Sequence, residues 1–564
     1  MTNSFIYKTD RPWPNARLSE GVIIGHTTTS TCKIWVRTGV LGNFVLLVYP
    51  ASIDPDGELR RSLSVVPFPG IPKTMANKFK AYAIEIKDYS NDTTFVQTVD
   101  QLAAATEYRY LMYGKDSRGV ERVVFGHDNP KAALAYSFRT LTKGNVPFTF
   151  GFYSCHMPYA QSIFGRLSID NMEMWDSFAV TLARHRTNGD LSFVVGGGDQ
   201  VYVDGVDKLN IWTYLKNSMR KENGVVLPGK EDMLSWYRDI YRGYWGFQQV
   251  KEVFSQYPNY MIWDDHELGD GWGSYFLEKG SKTDEMNKIL GDWKSKGLTY
   301  QDCEELLRNM RASAEQVYRE YQHSHNPEGA VTGSLDYFFK ANGAAFYFQD
   351  GRGNRDINRR SPRILGLQQM QRFESWLKAL DPTETPFVFV TSAVPLLHLK
   401  SSLVNASGAF DIAGLQDDLR DAWEHKLHDK ERQRFLAALF SASKRGLKVC
   451  VLSGDVHTSA AFRLTDNKTG AIIYQLTSSA ITYSVSLAVS WVLGAVTEDN
   501  GESADGYSFT RLARYTERNY SLIEVNPKTG KVIFKLYGLQ SISHPEGTEI
   551  KPVTDSIANI ELVF

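Results

Sequence analysis

Cysteine is scarce. The 564 residues hold four, Cys32, Cys155, Cys303 and Cys450, widely spaced and without a CxxC pair, so no disulfide framework can be read from them and they set no redox compartment. An excess of one charge is also lacking: 63 Lys plus Arg against 64 Asp plus Glu leave a formal net charge of −1. That balance gives no electrostatic reason to expect nucleic acid or an anionic membrane as partner. Long apolar runs are missing as well. The longest, residues 485–496, is broken by Ser and Gly and is too short to span a bilayer, so no transmembrane helix is expected. The N-terminus, MTNSFIYKTDRPWPNARL, has no basic start, apolar core, small-residue cleavage site or twin-arginine pair. Taken as written it predicts a cytoplasmic protein; a leader already removed would leave the same start on a periplasmic or extracellular one. Internal repeats and low-complexity tails are absent, and nothing in the sequence sets an oligomeric state.

What is present is length, enough for two domains of which one is large. From about residue 21 to 140 short β-like runs recur at regular spacing: GVIIGHTTTSTCKIWVR, NFVLLVYPAS, KAYAIEIKD, EYRYLMYG and YSFRT. They predict a β-sandwich of immunoglobulin or fibronectin type. His26 could serve as a ligand, but a hydrogen-bonded structural histidine is the simpler expectation. Gly and Pro punctuation at 141–147 marks a boundary, giving an N-terminal domain over 1–142 and a second over 143–564.

Past the boundary strands alternate with helices, the texture of an α/β domain. Helices are expected over 169–186, 231–256, 365–380 and 431–444, with a long helical and loop region at 277–327. A helix-poor polar segment at 399–430 suits a loop lying over a site. The second domain is organised around residues 261–273, MIWDDHELGDGWG. Here a short apolar strand runs into four ionisable residues and then Gly-rich turns, at the carboxyl end of a buried strand where open α/β sheets keep their chemistry. Adjacent carboxylates without a cation repel strongly, so a metal is the simplest assumption. The bland alternative is a solvated Asp-rich turn.

Four apolar strands end in groups that could ligate a metal: Cys155, Asp199 with Tyr202, Asp265 with His266, and Asp455 with His457. Each alone is weak, since an Asp after a strand is common and a lone Cys is usually a small buried hydrophobe. The alternative for Tyr202 is packing beneath the sheet. Together on one sheet edge they favour a transition metal. Phenolate with thiolate would suit a ferric ion, and the carboxylates could be shared with a hard divalent ion. Such a cluster activates water and neutralises charge on a phosphoryl group.

SerCysHis at 154–156, GlyAspGlnValTyr at 198–202, TrpAspAspHisGlu at 263–267 and SerGlyAspValHis at 453–457 occur in the order found in PhoD-like alkaline phosphatases, a branch of the metallophosphatases. The 365–380 stretch with its Gly-x-Gln-x-x-x-Phe character and Asp418 to Trp423 also resemble that family, so the likeness runs from about residue 20 to 540. It implies a four-layer α/β/β/α metallophosphatase domain behind the β-sandwich. It also implies an Fe(III) site with one or two divalent ions, calcium first and Zn, Mn or Mg as alternatives. Asp199 would bridge the ions, Tyr202 and Cys155 would hold iron, and Asp265, Asp455 and His457 would complete the set. Where family members carry an Asn pair, this chain reads Leu268-Gly269-Asp270-Gly271, and Asp270 would take the place of an Asn ligand with added negative charge.

The expected reaction is in-line attack of a metal-held hydroxide on a small phosphate ester. His266 would donate a proton to the leaving alkoxide. Arg352 and Arg355 follow another strand tip and would clamp phosphoryl oxygens; the alternative for both is an exposed loop paired with nearby acids. Glu267 reads as structural. Phosphomonoesterase activity is the main expectation, with a phosphodiesterase or phospholipase D-type hydrolase on the same metals as its rival and a non-catalytic phosphate-binding protein as a third.

Overall fold

The computed structural model describes residues 21–125, 136–161, 167–169, 171–280, 284–358, 361–398, 420–484, 497–544 and 547–564. The apolar run 485–496 and most of the 399–430 segment lie outside them. Among the described residues no helix is long and apolar enough to cross a membrane.

Two large sheets organise the chain from Phe148 onward. The first has six strands in the order Asn259–Ile262, Leu191–Gly197, Phe148–Tyr153, Tyr520–Asn526, Lys531–Tyr537, Ala558–Leu562, the first three parallel and the rest antiparallel. The second has eight, with Ala344–Phe348, Phe387–Thr391, Lys448–Ser453 and Ile472–Thr477 parallel at its centre and antiparallel strands on both flanks. Side chains alternate across a strand, which sorts these sequences into faces. Phe148, Phe150 and Phe152 point inward to meet Phe346, Phe389 and Leu452 of the opposite sheet in one core. Tyr153, Val194 and Met261 point outward, under the helices Glu173–Asn188, Lys230–Tyr244 and Tyr300–Tyr321. On the far side Tyr347, Val388 and Val451 pack beneath Gly366–Lys378 and Asp429–Lys444. The layers run helix, sheet, sheet, helix.

The middle strand of the first sheet contains Gly151, where a Cβ would come within 2.7 Å of the Phe178 ring. Its absence lets the helix Glu173–Asn188 sit directly on the sheet.

Residues 21–125 and 136–139 form two further sheets, one of Gly21–Thr27, Cys32–Arg37 and Thr94–Val99, the other of Lys80–Ile86, Gly42–Pro50, Glu107–Asp116 and Glu121–Phe125 with Ser137–Arg139 beside Glu107–Asp116. They share an apolar core in which Ile24, Ile34 and Val36 meet Leu46, Tyr110 and Met112. A buried charge cluster joins these sheets to the rest. Asp92 accepts from Arg37 Nε at 3.0 Å, from Arg242 Nη1 at 2.9 Å and from the Tyr321 hydroxyl. Burial alone would raise the Asp92 carboxyl, but the two guanidiniums outweigh it and hold it below the usual carboxylate range.

Candidate metal centre

The strands Phe148–Tyr153, Leu191–Gly197 and Asn259–Ile262 of one sheet and Lys448–Ser453 of the other end on the same side of the molecule. At each of three tips the chain turns through the left-handed region on a residue that has a Cβ: Cys155 (φ 56°), Asp199 (φ 56°), Asp455 (φ 65°) and His457 (φ 51°). Such conformations cost about 1–3 kcal/mol each and persist where the surroundings over-determine them. Backbone bonds lock the tips together, Cys155 N–H to Gly198 O at 3.3 Å and His156 N–H to Asp199 O at 2.8 Å. Gly198 lies at φ 106°, and a Cβ there would meet the Asp264 Cβ at 2.9 Å, so only glycine lets these two tips close.

Glu267 ties three backbone segments to one another. Its carboxylate accepts from the N–H of Asp199 (3.1 Å), Gln200 (2.6 Å) and Asp264 (2.8 Å), and from Gln322 Nε2 at 3.0 Å. It is fully buried and spent on structure.

What this frame presents is acid. Asp199, Asp264, Asp265 and Asp455 each offer an oxygen within 4.8 Å of the others. Asp199 Oδ2 accepts from the Tyr202 hydroxyl at 3.3 Å and lies 3.4 Å from Cys155 Sγ. Asp199 Oδ1, Asp264 Oδ2 and Asp265 Oδ1 are buried without a hydrogen-bond partner, as is His457 Nδ1. Burial first, and then the neighbouring carboxylates, push Asp455 well above the usual range; Asp199 rises likewise through burial, against the pull of His266. Asp264 is raised to about 6, by burial working against Arg352. Burial, then the charge on Asp199, raises the Cys155 thiol and the Tyr202 phenol. Four carboxylates so arranged must take up protons or a cation. Orphaned oxygens converging on one point are what a cation needs, and the residues fit a metal.

Four rings stack across the mouth: His266 on Tyr202 at 4.0 Å between centroids, Tyr202 on Tyr483 at 5.4 Å, and Tyr483 on His457 at 3.8 Å. His266 Nδ1 lies 2.7 Å from Asp204 Oδ1. Burial would lower its pKa, but Asp204, Asp265 and Asp199 together raise it well above the ordinary histidine value. A second acid group, Asp204 with Asp270 and His266, sits beside the first, and Asp204 also accepts from the Asp270 N–H. Asp270 is therefore placed with Asp204 and His266, not among the four deep carboxylates.

Arg352 and Arg355 do not lie on an exposed loop. Both are buried and both bind Asp421: Arg352 through Nη1 and Nη2 at 2.7 and 2.6 Å, Arg355 through Nε at 3.1 Å. Arg352 Nε also donates to Asp264. His26 is remote from the tips, with Nδ1 3.2 Å from the Tyr260 hydroxyl. Three site groups went unassigned in the sequence. Asp264 was hidden by its neighbour Asp265, although their adjacency signalled a cation. Asp204 follows Asp199 by five residues in the same loop. Asp421 lies in the Asp418 to Trp423 stretch that resembles the family, but its pairing with Arg352 and Arg355 joins segments far apart in the chain.

A sequence model described as PhoD-like phosphatase matches residues 172–532, more than half of the chain. An uncharacterized protein of Saccharomyces cerevisiae is 24% identical over 354 residues, covering 53% of this chain and 49% of that protein. Alkaline phosphatase D of Bacillus subtilis is 24% identical over 338 residues, covering 57% of this chain and 48% of that protein. The chain thus spans about half the length of the curated relatives it matches. A solved structure of PhoD superposes with a TM-score of 0.58 at 16% identity, over 98% of this chain and 93% of that one, a likeness of fold.

Proposed function

The chain belongs to the PhoD-like phosphatase family, and from that premise we propose that it hydrolyses small phosphate esters at a metal centre built on the four strand tips. The observation that carries this reading is the convergence of oxygens from Asp199, Asp264, Asp265 and Asp455 in one buried acid cluster, where Asp199 Oδ1 and Asp264 Oδ2 accept no hydrogen bond and Asp265 Oδ1 meets only Arg352 Nη2 at 3.3 Å.

Asp199 would be shared between the ions: it stands with Asp264, Asp265 and Asp455 in one acid grouping and with Asp265 and His266 in another. Cys155 and Tyr202 reach its Oδ2 and supply the thiolate and phenolate that suit Fe(III). Asp264, Asp265, Asp455 and His457 would complete the set, with calcium, or Zn, Mn or Mg, as the divalent partner. Asp270 with Asp204 offers a place for a further hard ion. The bound metals would supply activation of water and neutralisation of phosphoryl charge.

His266 donates the proton to the leaving oxygen. Asp204 fixes its ring by accepting from Nδ1, which leaves Nε2 for the substrate, and Tyr202 supports one ring face. Arg352 acts through Asp264: held bidentately by Asp421, it balances the acid cluster from behind. We read residues 1–142 as a β-sandwich domain that buttresses a catalytic domain over 143–564.

The test is the ratio of initial rates on nitrophenyl phosphate and bis-nitrophenyl phosphate with metal-replete protein at alkaline pH, together with the visible spectrum. A monoester preference supports an alkaline phosphatase, and a diester preference a phosphodiesterase or phospholipase-type hydrolase. No turnover of either, or a visible band unchanged in Tyr202→Phe, would remove the reading or its ferric assignment respectively.

A further inference from the structure

A histidine that binds a metal through one ring nitrogen ordinarily gives the other to a carboxylate, a carbonyl or a water, and that bond fixes the plane of the ring. His457 is held differently. Its Nδ1 is buried without a hydrogen-bond partner, and the bond it does make is through the backbone, N–H to Ser479 Oγ at 3.0 Å. The imidazole lies flat on the half-buried ring of Tyr483, with 3.8 Å between centroids and 8° between planes. Rotation of a histidine ring about its Cβ–Cγ bond has only a broad preference of its own, so the plane must be set by what the ring touches. Here that is the face of Tyr483.

Tyr483 can do this because its segment is fixed from the opposite sheet. After the strand Ile472–Thr477 the chain crosses to the tip that carries Cys155, where the N–H groups of Thr482 and Tyr483 both donate to Cys155 O, at 3.4 and 3.3 Å, and that of Ile481 donates to Ser154 O at 2.9 Å. Two side chains add to the hold. Asn171 Nδ2 donates to Thr482 O at 3.1 Å, and Thr482 Oγ1 lies 3.2 Å from His156 Nδ1. That nitrogen already accepts from Trp175 Nε1 at 3.1 Å, while His156 Nε2 faces the Tyr244 carbonyl at 3.1 Å. An indole N–H can only donate, so the His156 proton sits on Nε2 and Thr482 is the donor to Nδ1.

We infer that Tyr483 is a positioning residue for the metal centre, its ring face setting the plane of the His457 imidazole and with it the grip on the ion that His457 holds. The inference rests on the reading of His457 as a ligand. The contact is made by the ring and not by the hydroxyl, so it should survive loss of the oxygen and fail with loss of the flat face.

The experiment is calorimetric titration of Mn(II) into the metal-stripped full chain, unaltered and as His457→Ala, Tyr483→Phe, Tyr483→Leu and Asn171→Gly. The binding step that weakens in His457→Ala is the one His457 serves. Tyr483→Leu keeps apolar bulk and removes the flat face; it should weaken that step about tenfold, the lower end of what groups supporting a metal ligand contribute. Tyr483→Phe keeps the face and should bind as the unaltered chain does. Asn171 lies at φ 63°, where glycine is at ease, so Asn171→Gly deletes the amide that holds Thr482 without straining the turn. It should weaken the same step a few-fold, which keeps the test open if Tyr483→Leu folds poorly. Absence of any step sensitive to His457→Ala overturns the ligand reading and the inference with it. A step that responds to His457→Ala but to neither Tyr483→Leu nor Asn171→Gly overturns the inference alone, as does equal weakening by Tyr483→Phe and Tyr483→Leu.

Discussion

Asp204 and His266 are far apart in the chain yet meet at 2.7 Å, and the charge on Asp204, followed by those on Asp265 and Asp199, raises the imidazole above the ordinary histidine value in spite of burial. In Asp204→Asn the acceptor geometry survives and the charge does not. Turnover should drop by about 10²-fold, the range general acid catalysis commands, while folding and thermal midpoint stay close to wild type. Steady-state kinetics with parallel metal analysis checks this; loss of the Cys155–Asp199 metal in that variant would show Asp204 to be a ligand of the main centre and not a positioning residue. Glu267 offers the contrast. It sits between Asp265 and His266 on one side and Leu268 on the other, yet its oxygens are consumed by backbone N–H groups, and its role is to hold the tips.

At the scale of the element, the informative unit is the strand with its tip. Gly198→Ala would place a methyl against Asp264 in a left-handed turn, at a cost of about 1–3 kcal/mol from backbone strain. Metal content measured by mass spectrometry should fall together with the thermal midpoint, whereas an unstrained surface substitution would change neither. The same strands show what the sequence made legible. Continuous apolar runs at 148–152, 191–195, 259–262, 387–390 and 448–452 announced buried parallel strands, and the ionisable residues after four of them marked one edge. The expected helix over 169–186 begins instead at Glu173, because Leu167–Ile169 pairs with Tyr159–Gln161. Tyr507–Tyr515 and Ser459–Asp466 escaped notice because residues such as Arg463, Arg511 and Arg514 interrupt their apolar pattern; partner strands and not intrinsic preference hold them. The Arg352–Asp421 pair could not be read locally at all, since an exposed Arg-rich loop and a buried ion pair look alike until distant segments meet.

Across the whole molecule, the seam between the N-terminal sheets and the six-stranded sheet gathers histidines that are largely or fully buried. His26 and His323 are lowered to about 4 and His325 to about 3, in each case mainly by burial and then by the charge on Lys33 or Arg319. The unfolded chain takes protons on these rings near the ordinary value of about 6.5, and the folded one resists. The unfolded state therefore binds more protons throughout that window, and stability rises with pH across it. Unfolding midpoints should fall progressively as pH drops from about 6.5 toward 4, and His325→Gln should flatten that slope. A midpoint indifferent to pH over the window would place the rings in contact with solvent.

The central strand Phe148–Tyr153, whose tip supplies Cys155, is paired on one side with Leu191–Gly197 and on the other with Tyr520–Asn526. Its second neighbour is thus made some 370 residues after it. During synthesis at about 5–20 residues per second, the nascent chain carries Cys155, Asp199 and Asp265 out of the ribosome long before Asp455, His457 and that closing strand exist. Three of the groups proposed to hold metal are thus made before their partners from the other sheet. The strand tips can therefore be drawn into one cluster only once both Lys448–Ser453 and the closing strand Tyr520–Asn526 have been made.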